Sequence, residues 1–343
     1  MSNEVADGIR GDEAIEVELS DESGFTQIDT ANCPPPEQQG EYLQDAEVTA
    51  FVDFLKGLLG EGGKLRHAWR HARDGYDWQC EDLLDAARRY HFTVVEEFRV
   101  LTGPVDFQSL AANALVLNDL KRRLDAAVSS CNDVDARAVA KDIQLWGGTD
   151  IRGKKNSMAI DTLGTASGGF LGYLDRCRNA FGGGWSLDLS PFIGASQGLR
   201  SNAGFTKIYS LSFDDFIIYD SRVAAALGLL VIRWWALTCY RRKIIAPIPA
   251  RLRFYCMPTH GHVNRDPNVN RFTIAGLPTT RCDLSHVQSN VHANWLLCHA
   301  LSGSYFEHEV LTRPHPYPVK PLRALEAALF MIGYDLAANW PHG

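Results

Sequence analysis

The sequence predicts a mostly α-helical fold with long loops, and three observations carry that prediction. Apolar residues recur at helical spacing throughout the first half of the chain, strand-like alternation is short and rare, and glycine and proline clusters separate the periodic segments. At 343 residues and 45% hydrophobic content the chain is long enough for one large core or two ordinary ones.

The elements follow in order. Residues 1–47 hold thirteen of the 41 acidic side chains and one of the 34 basic ones, which leaves 28 acids against 33 bases in the rest. Residues 1–46 therefore read as an acidic, disordered tail, with Cys33-Pro34-Pro35-Pro36 and few large apolar residues to offset the entropy of ordering. The tail is either a solubilising leader or a segment that competes with nucleic acid for a basic body. Residues 47–343 are expected to form one helical domain, with room for two subdomains and an active site between them.

Within that domain, Val48, Phe51, Phe54, Leu55, Leu58 and Leu59 predict a helix over 46–59, stopped by Gly60 to Gly63. Further helices are expected over 82–101, closed by Gly103-Pro104, over 106–130 and over 134–145. Residues 158–181 read as helical in parts, weakened by Gly164, Gly168, Gly169 and Gly172. A glycine turn at Gly204 leads into a helix beginning at Thr206. The apolar run 216–219 then delivers Asp220 to the head of a helix over 221–237, where it is placed as the N-cap. Arg241, Arg242 and Lys243 make a basic step, residues 251–290 read as a loop-rich excursion, and helices return over 289–301 and 322–337.

Composition narrows the function classes. Eight scattered cysteines without a CxxC pair read as free thiols in a reducing compartment. The start of the chain shows neither a basic nor an apolar signal region, and the longest apolar run, 223–240, is interrupted by Arg233 and suits a buried helix. A cytoplasmic monomer without a membrane span or cofactor is expected. No P-loop, G-x-G-x-x-G or Gly-x-Ser-x-Gly elbow is present. Cys256, His260, His262, Cys282 and His286 fall close together, but their spacing matches no structural zinc site, so no metal is expected.

Lys207 and Asp220 are the residues with the most chemistry. A carboxylate at a helix N-terminus is stabilised as the anion and can stabilise a developing positive charge; a lysine in a low-dielectric pocket can act as an amine nucleophile. Against that, an aspartate before a helix is most often a plain cap and a lysine is most often solvated.

The order of elements adds to the pattern. The stretches 143–148 (Ile-Gln-Leu-Trp-Gly-Gly), 206–210 (Thr-Lys-Ile-Tyr-Ser), 218–227 (Ile-Tyr-Asp-Ser-Arg-Val-Ala-Ala-Ala-Leu) and 292–297 (His-Ala-Asn-Trp-Leu-Leu) resemble the helix-hairpin-helix superfamily of DNA glycosylases. Within it they look like the branch with an 8-oxoguanine-glycosylase-like fold. The resemblance covers about residues 138–301 and implies a helix-hairpin-helix glycosylase-like helical bundle acting on double-stranded DNA. It implies excision of a damaged or modified base flipped from the duplex, in DNA repair or, as in some members, in defence against phages with modified DNA. Asp220 would stabilise the oxocarbenium-like sugar, and Lys207 would match the lysine that forms a Schiff base in bifunctional, lyase-active members. The chain departs from the family in its hairpin, Ala203-Gly204-Phe205-Thr206 in place of Gly-apolar-Gly, and in a shorter interval from lysine to aspartate.

A base-flipping enzyme needs flat surfaces around the extruded base, and Trp146, Trp185, Tyr219 and Trp295 are the candidates, although such a residue is more often part of a core than of a pocket. Gly204 and Thr206 in the hairpin, with Arg222, Arg241, Arg242, Lys243 and Arg253, are the candidate phosphate contacts, a solvated basic face being the alternative. The competing reading is a DNA-binding protein of the same fold without catalysis.

Overall fold

The computed structural model describes residues 35–71, 75–92, 109–149, 153–193, 198–256, 263–268, 283–312 and 319–336. In chain order, β1 (Glu37–Gln38) and α1 (Gln39–Leu43) precede α2 (Ala46–Leu59); β2 (His67–Arg70) and β3 (Asp77–Cys80) precede α3 (Leu83–Arg88). Then come α4 (Leu110–Ser129), α5 (Asp133–Trp146), α6 (Lys155–Thr165), α7 (Gly169–Ala180), the short β4 (Ser186–Leu187), α8 (Ala203–Ser212) and α9 (Ser221–Arg242). The chain ends with α10 (Asp283–Leu301), α11 (Tyr305–Thr312) and α12 (Pro321–Ile332). The fold is mostly α, as the periodicity predicts.

Side-chain caps explain where many helices begin. Asp45, Asp82, Ser109, Asn132, Asn202 and Asp220 each accept amide N–H groups of the first turn of α2, α3, α4, α5, α8 and α9. Each such cap contributes about 1 kcal/mol. The boundary between α6 and α7 falls where Gly168 and Gly169 both take positive φ, 83° and 66°, a conformation open to glycine.

The helices form two groups. In the first, α4 packs on α5, α5 on α6 and α7, and α8 lies against both α4 and α5. In the second, α12 is the hub and touches α3, α9, α10 and α11, while α2 covers α9 and α10. Alanine- and leucine-rich α9 is a core helix: among the described residues it alone is long and apolar enough to cross a membrane, yet 67% of that apolar stretch is buried within the protein. The six cysteines among the described residues are free.

Several boundaries differ from the sequence expectation. The predicted tail is ordered from Glu37 onward: β1 pairs antiparallel with β4, and Tyr42 of α1 is fully buried against α10. Residues 1–34, the rest of that tail, lie outside the described residues. The helix expected over 82–101 ends at Arg88, and residues 93–101 also lie outside them. Helix α10 starts at Asp283, well before the expected 289, because its polar residues are buried by tertiary hydrogen bonds and so mask the apolar period: His286 bonds Ser201, Gln288 bonds Glu37, and Ser289 accepts from the Tyr255 amide. Helix α9 runs on to Arg242, whose basic last turn suits the negative end of the helix dipole. Further elements escaped the sequence reading, among them α11 and the β2–β3 hairpin, where Trp69 stacks on Trp78 at 5.3 Å.

Candidate active site

The site is organised by the extended segment that carries Asp220. Three successive amides in it are held by side chains from three different helices. Ile217 N–H donates to Asn294 Oδ1 of α10 at 2.7 Å, Ile218 N–H to Glu326 Oε2 of α12 at 2.6 Å, and Tyr219 N–H to Thr206 Oγ1 of α8 at 3.2 Å. Buried amides without partners are costly, so this clamp fixes the segment tightly. Immediately beyond it, Asp220 Oδ1 accepts both the Arg222 and Val223 amides at 3.0 Å. The carboxylate thus sits where free N–H groups and the helix dipole stabilise its anion.

A cavity of about 70 Å³ lies between the two helical groups. The first group supplies Asn113 and Leu117 of α4, Trp146 to Thr149 at the end of α5, and Lys207 of α8; the second supplies Ile218, Asp220 and Arg222, with Glu326 and Phe330 of α12. Lys207 and Asp220, singled out in the sequence, therefore share one cavity. They are not ion-paired to each other.

Lys207 lies over Gly147 and turns back along its own helix. A Cβ on Gly147 would overlap the Lys207 Cδ and Cε, so the bare Cα is what lets the side chain lie there. Its ammonium donates to Ala203 O at 3.1 Å, and the residue is 6% exposed. Beside it the aromatic wall is fixed by a relay: Trp146 Nε1 donates to Asn113 Oδ1 at 2.8 Å, and Asn113 Nδ2 donates to Tyr90 Oη at 2.7 Å. Tyr90, Phe92 and Phe330 complete that wall.

Glu326 is the second carboxyl in the cavity. Burial pushes it above the ordinary carboxylate range and the nearby Asp220 charge adds to this, while Arg323 and the Ile218 amide oppose it. Arg323 Nη1 reaches both of its oxygens at 2.5 Å. Arg222 lies over the rings of Phe330 at 4.3 Å and Tyr334 at 4.8 Å, and Arg265 donates to Ser221 Oγ at 2.7 Å.

The structure places the other predicted residues differently. Trp146 lines the cavity, but Tyr219 points away from it: alternate residues of an extended segment face opposite ways, so a segment that turns Ile218 and Asp220 inward turns Tyr219 outward. Tyr219 is fully buried, and its hydroxyl donates to Tyr255 O at 2.7 Å. Trp295 is a core residue whose indole donates to Gly184 O at 2.6 Å, and Trp185 is 72% exposed and outside the cavity.

Gly204 is not in a hairpin turn. It lies in the first turn of α8, where a Cβ would overlap Gln144 Oε1 and Asn156 Nδ2; its role is close helix approach. Thr206 is also inside α8 with its amide on Asn202 O, so neither residue offers a free turn to a phosphate. Arg241, Arg242 and Lys243 sit at the far end of α9, about 30 Å from Asp220 at 1.5 Å per residue. Arg242 is paired with Glu47 at 2.7 Å, and Arg253 donates to Ile248 O. Of the thiol and imidazole set, Cys256 donates to Ala224 O and His286 bonds Ser201, while His260, His262 and Cys282 lie outside the described residues.

No family model, curated protein or solved structure matches the chain. The site therefore speaks through its own geometry. Tyr90, Phe92, Asn113, Glu326 and Phe330 were missed from the sequence because they lie on three separate segments, the stretch after α3, α4 and α12, and in no motif. The one legible signal among them was Glu326, a lone carboxylate within the apolar period of α12.

Proposed function

We propose that this cavity is the active site of a DNA N-glycosylase that removes a damaged or modified base flipped out of double-stranded DNA. The observation that carries the reading is that Lys207 and Asp220, thirteen residues apart in sequence, line one aromatic-walled cavity on the clamped N-terminus of α9.

The chemistry follows from those positions. As the bond from C1′ to the base nitrogen lengthens, positive charge grows on the sugar, and the Asp220 carboxylate opposes that charge. A water molecule deprotonated by Asp220 then adds to C1′, while the base leaves with the electron pair of the broken bond and takes up a proton. Where Lys207 is the nucleophile instead, its nitrogen bonds to C1′ as the base leaves with the electron pair of the broken bond and takes up the proton the amine gives up; cleavage of the C1′–O4′ bond then opens the sugar ring and yields the Schiff base. The walls of Trp146, Phe92 and Phe330 supply flat surfaces of the kind an extruded base stacks on.

The deciding experiment is release of base from duplexes carrying oxidised, alkylated, deaminated or glycosylated bases. The wild type is expected to release one of these and Asp220→Asn to release none while still binding DNA. Equal release by both would overturn the reading. Borohydride trapping separates the two routes: a covalent adduct lost in Lys207→Ala means a lyase step, and its absence means hydrolysis.

A further inference from the structure

The Lys207 side chain is buried on the cavity wall with no counter-charge in contact among the described residues. At 6% exposure it makes a hydrogen bond to Ala203 O, and among the described residues no carboxylate pairs with it. An ammonium carries three donors, and a buried charge is retained when it is paired and fully bonded. The two carboxylates of the cavity do not serve it: Glu326 is engaged by Arg323 and by the Ile218 amide, and Asp220 Oδ1 by two amides of α9. Formally, Lys207, Arg222, Arg265 and Arg323 face the cavity against Asp220 and Glu326, a surplus of positive charge.

We propose that the ligand of this cavity is a planar ring bearing an oxyanion, with the ring against Trp146 and the anion on Lys207. The two contacts are neighbours by construction, since Lys207 lies on Gly147, the residue after Trp146. The relay from Trp146 through Asn113 to Tyr90 holds the ring wall in place before a ligand arrives. Asn113 commits one hydrogen bond at its amide oxygen and one at its nitrogen to that relay, which ties it to the ring wall, while Lys207 supplies the charged contact beside it. This rests on the glycosylase reading only for the statement that the ring is a nucleobase, and it then makes the excised base one with an anionic substituent.

The test is calorimetric titration of the full chain with three probes: orotate, a pyrimidine with a ring carboxylate; uracil, the same ring without it; and inorganic phosphate. Orotate is expected to bind at least about tenfold more tightly than uracil, with that ratio falling to about one in Lys207→Met. The comparison of the two rings is made on the wild type, so it stands even where Lys207→Met does not fold. Phosphate binding as tight as orotate, also lost in Lys207→Met, supports the oxyanion and assigns it to a nucleotide phosphate. Equal binding of uracil and orotate overturns the oxyanion and leaves the glycosylase reading intact. Binding of none of the three overturns the proposal, and base release from modified duplexes then judges the glycosylase reading separately.

Discussion

Lys207 lies across the Cα of Gly147, so the last residue of one helical group's cap determines where the cationic side chain of another helix rests. Gly147 has φ −77° and ψ 0°, a conformation any residue adopts, so the backbone does not require glycine there. The requirement is space. Gly147→Ala is therefore expected to fold with a loss of about 1 kcal/mol, the low end of overpacking costs, because the obstructing atoms belong to the far half of a flexible side chain. It would push the ammonium off Ala203 O. Base release or adduct formation is expected to fall at least tenfold while the melting temperature stays near wild type. Unchanged activity would show that the reach of Lys207 over Gly147 is incidental.

Asp220 combines a cap with the proposed chemistry, and two substitutions separate them. Asparagine caps as well as aspartate, so Asp220→Asn is expected to change stability by less than about 0.5 kcal/mol, whereas Asp220→Ala loses the cap and about 1 kcal/mol. Both remove the carboxylate charge. Urea denaturation beside a base-release assay checks this: equal losses of activity with unequal losses of stability are the expected outcome, and activity that follows stability would reduce Asp220 to a cap.

The same contrast explains what could be read in the sequence. Asp220 at a helix start and the apolar face of 46–59 are local signals, and both are where the periodicity puts them. That Asp220 and Lys207 meet in one cavity is not local; it depends on α8 and α9 being held by Thr206 and Glu326 through the segment between them. Tyr219 shows a missed inference: the period of two in an extended run already set it on the face opposite Asp220. Trp295 and Trp185 carry no signal that separates core from surface or pocket. The basic step at 241–243 was adjacent to Asp220 only along the chain, and a long helix turned that adjacency into distance.

Gly204 offers a sharper test of packing. Gln144 Nε2 donates to Gly204 O at 2.9 Å, and Gln144 Oε1 accepts from Thr149 Oγ1 at 2.6 Å and Asn156 Nδ2 at 3.2 Å. A methyl group at Gly204 would fall on that buried network, whose members have little freedom to move. Gly204→Ala is expected to destabilise the protein by about 1–3 kcal/mol, the opposite of what a solvent-exposed phosphate-binding turn would show. A stability loss below a few tenths would return Gly204 to the role of an open hairpin.

The junction of the N-terminal segment with α10 predicts a pH dependence. Glu37 Oε2 meets His292 Nε2 at 2.6 Å, Glu37 Oε1 accepts from Gln288 Nε2 at 2.6 Å, and Tyr42 stacks on the His292 ring at 4.1 Å. Burial raises the Glu37 pKa, but the His292 hydrogen bond and charge, the Gln288 bond and the Arg251 charge together outweigh it and hold the carboxyl below 4.5. A carboxyl whose folded pKa is depressed binds fewer protons than in the unfolded chain, so its contribution is full above 4.5 and disappears as pH falls through the lower, folded value. Glu37→Gln keeps the shape and removes that titration. Its unfolding free energy is expected to lie about 1.5–3 kcal/mol below wild type at pH 7, since hydrogen bonds to a charged group are worth that much, and to converge on wild type as pH falls toward 3. Parallel curves over that range would mean that the strap is held by Tyr42 and its stacking on α10 alone.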